Sequence, residues 1–268
     1  MHPEPIFLNV NLYGICIAVG LLLAFGVLYV YSRMKRIDDS ITDFIFYDGV
    51  ASIVAGFVFA GLFQSLYDFI ENPSNGFKFG TGITFLGGLV GGAGVFIAIY
   101  FIFRKKLKAR LIDSISVIPC CILIGHALGR IGCFFAGCCY GKPSEKFGIY
   151  FKDLGHKVIP TQLYEAIFLF IMFAVCSFLW IRYNFKYNLC VYFISYGVFR
   201  FIIEFFRDDD RGKLFKLLSP SQFWAIIMVI VGIVLVFALK PLFAKREKEL
   251  ALLKENSIIN NAEKNHYE

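Results

Sequence analysis

The stretch IFLNVNLYGICIAVGLLLAFGVLYVYSRMKR, residues 6–36, passes from Ile6 to Tyr31 without one charged side chain and then meets Arg33, Lys35 and Arg36. A helix needs about 20 apolar residues to cross the hydrocarbon of a bilayer, because there its backbone groups must be satisfied internally. This segment is long enough. It begins too near the N-terminus, and runs too far, for a cleaved signal peptide with a basic leader, so it is expected to stay as a membrane helix. Six further windows of the same kind follow, at residues 44–67, 79–103, 111–136, 161–181, 188–206 and 223–239. The composition agrees with them: 58% hydrophobic, 18% charged and a mean hydropathy of +0.67 lie far from the usage of a soluble domain. A net charge of +7 sits in short clusters between apolar runs, not on an extended basic face with stacking aromatics, which argues against nucleic-acid binding. The expectation is an all-α polytopic membrane protein of about seven transmembrane helices, with residues 1–243 as a single transmembrane domain and residues 244–268 as a polar cytoplasmic tail.

Orientation is read from Lys and Arg, which are retained in short loops on the cytoplasmic side. Basic clusters follow the first window (Arg33, Lys35, Arg36), the third (Arg104, Lys105, Lys106, Lys108, Arg110), the fifth (Arg182, Lys186) and the seventh (Lys240, Lys245, Arg246, Lys248). They share one side if the N-terminus is outside and the C-terminus cytoplasmic. Lys142, Lys146, Lys152 and Lys157 then fall in an outer loop long enough to be a functional surface.

Ionisable residues inside the windows mark where function should be sought, since each costs at least about 2.5 kcal/mol at mid-helix unless paired or wet. They are Asp48, Asp113, Arg130, Glu165, Arg200 and Glu204, with Arg207 at a helix end. Asp48 and Asp113 lie near window ends; the others group by expected depth in the outer half of windows four to six. In SYGVFRFIIEFFRDDDRG, spacings of four, four and three put Tyr196, Arg200, Glu204 and Arg207 on one helical stripe. Arg200 and Glu204 could form a buried bridge and nothing more. Two arginines flanking one glutamate, however, leave excess positive charge, and guanidinium is the planar fork suited to phosphate.

The second concentration of chemistry is GHALGRIGCFFAGCCYGKPS. His126, Arg130 and Cys133 share a face if the helix persists, while Gly129, Gly132, Gly137 and Gly141 permit close approach or a break. Cys133, Cys138 and Cys139 fall within seven residues. They read as soft packing residues, as a disulfide on an oxidising face, or as reactive thiols; C-x4-C-C lacks the paired CxxC spacing of strong zinc sites.

These residues carry a family resemblance. The chain resembles the prolipoprotein diacylglyceryl transferases, whose G-R-x-G-N-F-x-N-G-E-x-x-G motif is matched at Gly129, Arg130, Gly132, Phe134, Gly137 and Gly141. The family's H-P-S-Q-L-Y-E is answered by Pro160, Thr161, Gln162, Leu163, Tyr164 and Glu165, and its Y-G-x-x-R-F-x-x-E-F-x-R by every fixed position from Tyr196 to Arg207. An early W-Y-G corresponds to Tyr13 and Gly14. There are departures too. The family's H-G-G-L is Leu86, Gly87, Gly88, Leu89; Cys133, Ala136 and Cys138 replace two asparagines and a glutamate; Ile159 replaces a histidine.

The resemblance implies transfer of a diacylglyceryl group from a phospholipid, phosphatidylglycerol above all, to the thiol of a lipobox-bearing preprolipoprotein at the bacterial inner membrane. It implies no metal and no organic cofactor. Catalytic roles are expected for Arg130 and Arg200, with His126 as a stand-in base and Cys133, Cys138 and Cys139 lining the same cavity. Tyr13, Gly87, Gly88, Gln162, Tyr164, Glu165, Tyr196, Glu204 and Arg207 are expected to bind substrate. Because the family histidine is replaced by Leu86, two other readings stand beside this one. One is a thiol-based membrane enzyme acting through the cysteines on another substrate; the other is a catalytically silent lipid-binding paralogue.

Overall fold

A computed structural model of the chain describes residues 11–80, 84–208 and 218–267. Its helices are α1 (Leu12–Met34), α2 (Asp39–Glu71), α3 (Phe85–Phe103), α4 (Leu111–Ser114), α5 (Ile118–Phe135), α6 (Thr161–Tyr183), α7 (Asn188–Ile203) and α8 (Pro220–Tyr267). A hairpin of β1 (Ile149–Phe151) and β2 (His156–Val158) stands between α5 and α6. Among the described residues six helices are long and apolar enough to cross a membrane, and α3 adds a shorter apolar one. The protein is thus an all-α polytopic membrane protein.

The chain divides into two compact units, Leu28–Ser114 and Met1–Val27 with Ile115–Glu268. In the first, Asp38 caps α2 by accepting from the Ser40 amide at 2.9 Å. α3 lies along α2 through glycines: a Cβ on Gly92 would come 3.0 Å from the Ser52 carbonyl, and one on Gly88 3.3 Å from that of Gly56. Lipid offers no hydrophobic drive between helices, so this close backbone approach is the source of their attraction. Asp48 is buried on α2 and accepts from Ser52 at 3.3 Å.

The fourth window is not one helix. It breaks between Ser114 and Ile118, and α5 restarts with Pro119 in its first turn, where a missing N–H costs nothing and a continuing helix would have clashed. Asn188, fully buried at the start of α7, closes the break: its amide donates to the Ser116 carbonyl at 3.0 Å and to the Cys176 carbonyl at 3.1 Å. α7 packs on α8 at Gly197, where a Cβ would lie 2.8 Å from the Ala225 carbonyl. The final helix also differs from its window. α8 runs on past residue 239 with Pro241 inside it and continues through the polar segment to Tyr267.

Candidate functional site

α5, α6 and α7 carry the ionisable side chains that hydropathy alone forbids, and they converge. Glu165, on the second turn of α6, is fully buried and forms the hub. Its Oε1 accepts from the Tyr196 hydroxyl at 2.6 Å and lies 2.9 Å from Arg130 Nε; its Oε2 is 3.8 Å from Arg200 Nη1. His126 joins the group, with Nε2 3.9 Å from the same Oε1, 3.5 Å from the Tyr196 hydroxyl, and its ring edge-on to that of Tyr196. Tyr192 stacks beneath Tyr196 at 5.8 Å.

A second carboxylate extends the network. Glu204 Oε2 lies 3.0 Å from Arg200 Nη2 and 3.7 Å from Arg207 Nε. The stripe foreseen on the sixth window is therefore real up to Ile203, where the helix tightens into a 3-10 turn over Glu204–Phe206 and releases Arg207 in extended conformation. Among the described residues three guanidiniums face two carboxylates here. Arg200 Nη1, although buried, makes no hydrogen bond among the described residues, so donor capacity remains in the cluster. Arg130 is the partly open member, its side chain 18% exposed against 9% for Arg200.

Ser219 and Ser221, outside every apolar window, complete the site. Ser221 accepts from Arg200 Nη2 at 3.0 Å, and Ser219 donates to Glu204 Oε1 at 2.9 Å. Ser219 also accepts from the Gln222 amide at 3.1 Å while Gln222 Oε1 accepts from the Ser219 amide at 3.0 Å. That is a reciprocal capping box, with Pro220 at the first helical position, and the string S-P-S-Q signals it. Ser219→Ala is expected to destabilise the fold by about 1 kcal/mol through the lost cap. It should also loosen Glu204; a thermal unfolding curve in detergent that overlays wild type would contradict this.

The cysteines sit at the end of α5. Cys138 N–H reaches back to the Cys133 carbonyl at 3.2 Å and Gly137 N–H to that of Phe134 at 3.1 Å, with Gly137 left-handed at φ 70°. This is a Schellman ending, which sets the side chains of Cys133 and Cys138 against each other. All three cysteines are free, and their sulfurs lie within 4.8 Å of one another. The Cys138 thiol donates to the Cys133 carbonyl at 3.6 Å, and the neighbouring Cys133 and Cys138 thiols, with the Arg207 guanidinium, hold the Cys139 thiol below the ordinary range for cysteine. The cysteine carbonyls are tied to α6: Thr161 Oγ1 donates to that of Cys139 at 2.7 Å and Gln162 Nε2 to that of Cys138 at 3.1 Å. Gly141 continues the loop directly over the Phe206 carbonyl, where no side chain fits.

The remaining expected residues are placed as follows. Tyr13 packs on α5 at Gly132, whose Cβ would meet its ring at 3.0 Å. Tyr164 is exposed and its hydroxyl reaches the Phe147 carbonyl at 3.5 Å. Gly87 and Gly88 belong to the α2–α3 contact of the Leu28–Ser114 unit, where a Cβ on Gly87 would meet Phe63 at 2.6 Å.

Membrane helices enclosing an arginine–carboxylate network define a polytopic membrane protein with a charged polar centre. The family described as prolipoprotein diacylglyceryl transferase matches residues 5–238. A phosphatidylglycerol–prolipoprotein diacylglyceryl transferase from Clostridium tetani is 32% identical over 235 residues, covering 82% of this chain and 90% of that protein. One from Acinetobacter baumannii strain SDF is 30% identical over 241 residues, covering 84% and 87%. A third, numbered 2 in Clostridium perfringens, is 30% identical over 243 residues, covering 85% and 90%. The chain belongs to the prolipoprotein diacylglyceryl transferase family.

Proposed function

We propose that this protein transfers the diacylglyceryl group of phosphatidylglycerol to the thiol of a lipobox cysteine in a preprolipoprotein, at the outer face of the bacterial inner membrane. The observation that carries the reading is the convergence of Arg130 and Arg200 on buried Glu165. In the reaction the acceptor sulfur attacks the glyceryl carbon and glycerol phosphate departs, so negative charge gathers on the leaving phosphate. Fixed guanidiniums in a dry site stabilise that charge without reorganising at the moment of transfer.

Arg130 is the candidate to meet the phosphate because it is the most open of the three arginines, and Arg200 stands beside it on the same carboxylate. Glu165 and Glu204 position them. The Tyr196 hydroxyl, expected to bond to the lipid, donates to Glu165 here, which makes it a brace for the carboxylate. His126 is the candidate to take up the thiol proton, one helical turn from Arg130 and beside the same carboxylate. The reading is tested by placing the chain in bacterial cells depleted of their own transferase. Lipid-modified prolipoprotein should reappear, and continued accumulation of the unmodified precursor at normal membrane levels of the protein would contradict it.

For the orientation, the basic asymmetry supports an outside N-terminus and a cytoplasmic C-terminus. Single cysteines at Lys106 and Lys146, in a background lacking the native cysteines, should then label oppositely with an impermeant maleimide in intact cells. Lys146→Cys is expected to react from outside and Lys106→Cys only after the membrane is opened; the reverse pattern would invert the assignment.

A further inference from the structure

Transfer at the arginines leaves the sulfur trio at the end of α5 without an assigned role. Its placement is nevertheless built: the Schellman ending fixes Cys133 against Cys138, and the fully buried Thr161 and Gln162 hold the carbonyls of Cys139 and Cys138. The sulfurs lie within 4.8 Å of one another, whereas three thiolates around a zinc ion at about 2.3 Å each stand about 3.8 Å apart, a contraction of roughly 1 Å. Exposed Cys138 supplies an entry path to the group. Among the described residues no fourth Cys, His, Asp or Glu joins the group. A structural zinc site is closed by four ligands, while a catalytic one keeps three and leaves a position open.

We infer that Cys133, Cys138 and Cys139 form a three-thiolate site for a divalent cation of the zinc class, whose open fourth position takes the acceptor's thiol. The inference rests on the transferase reading and deepens it. The family histidine is Leu86 here, and a hydrocarbon cannot remove a proton. Coordination does the same work, because a metal-bound thiol gives up its proton. The acceptor R–SH releases H+ to His126 or water and binds as R–S−. A sulfur lone pair then forms the S–C bond to the glyceryl carbon as the C–O bond to phosphate breaks. The C–O electron pair leaves with glycerol phosphate, and nothing is oxidised or reduced.

Cobalt(II) is the probe, added to the reduced, full-length protein in detergent. One Co2+ per chain should bind, with a sulfur-to-metal charge-transfer band and the visible bands of a tetrahedral ion, and Zn2+ should displace it. Cys138→Ser, a change at an exposed position, should weaken binding by about 100-fold or more, beyond the effect of groups that merely orient a ligand. Cys190→Ser should leave it unchanged. A lipobox peptide should shift the visible bands and its Cys→Ser version should not. Absence of the charge-transfer band at saturating Co2+, or equal affinity in Cys138→Ser, would overturn the site. Undiminished transfer by protein stripped of metal would overturn the role of the fourth position. Failure of transfer with the peptide-induced shift intact would instead remove the transferase reading and leave the site standing.

Discussion

Glu165→Gln should destabilise the protein more than any other single change at the site, by about 3–5 kcal/mol, because two buried guanidiniums lose their shared counter-charge. The geometry explains why. Glu165 is fully buried, its carboxylate touches Arg130 Nε at 2.9 Å and Tyr196 at 2.6 Å, and Arg200 stands 3.8 Å away. A neutral amide of the same shape keeps the packing and removes the charge, so the loss isolates electrostatics from volume. In a chain of this size the midpoint of thermal unfolding should fall on the order of 10 °C. Glu204→Gln should cost less, since Arg200 retains both Glu165 and Ser221. Equal midpoints for Glu165→Gln and wild type would show that the cluster is solvated and that the buried network is not what holds α5, α6 and α7 together.

Arg130→Lys and Arg200→Lys should each leave a folded protein whose transfer rate is lower by about 10²–10³, the usual loss when one donor aimed at developing charge is withdrawn. Charge is preserved in both changes, so a simple need for positive potential would be met. What lysine cannot do is reach a carboxylate with one edge and present further donors with another, as Arg200 does toward Glu204, Ser221 and Glu165. A buried bridge with no catalytic part would respond differently. Replacing Arg200 and Glu204 together by apolar residues would then keep both fold and activity, and activity surviving that double change would sink the phosphate role.

Much of this arrangement is legible in the amino-acid sequence. The apolar windows announce a polytopic helical protein, and the spacing of four from Tyr196 to Arg200 to Glu204 announces one charged face, which extended Arg207 leaves. Other features were written locally and are easily passed over. Pro119 inside the fourth window marks the restart of α5, S-P-S-Q marks the capped start of α8, and a glycine just before the second cysteine of C-x4-C marks a Schellman ending that brings Cys133 and Cys138 together. What sequence could not rank was Glu165. It reads as one motif residue among several, and its place as the hub depends on partners 35 positions upstream at Arg130 and on the next helix at Tyr196 and Arg200. Asn188 is similar. On the page it is a window boundary, and only the fold shows its amide joining Ser116 to Cys176.

The most direct test of the arginine-centred transfer uses purified protein in vesicles of phosphatidylglycerol carrying separate labels in the glyceryl-acyl part and in the headgroup, with a lipobox peptide as acceptor. The glyceryl-acyl label should move to the peptide cysteine while an equal amount of headgroup label is released as glycerol phosphate, and Arg130→Lys should suppress both together. Release of headgroup label without labelled peptide, or transfer undiminished in Arg130→Lys, would contradict the account.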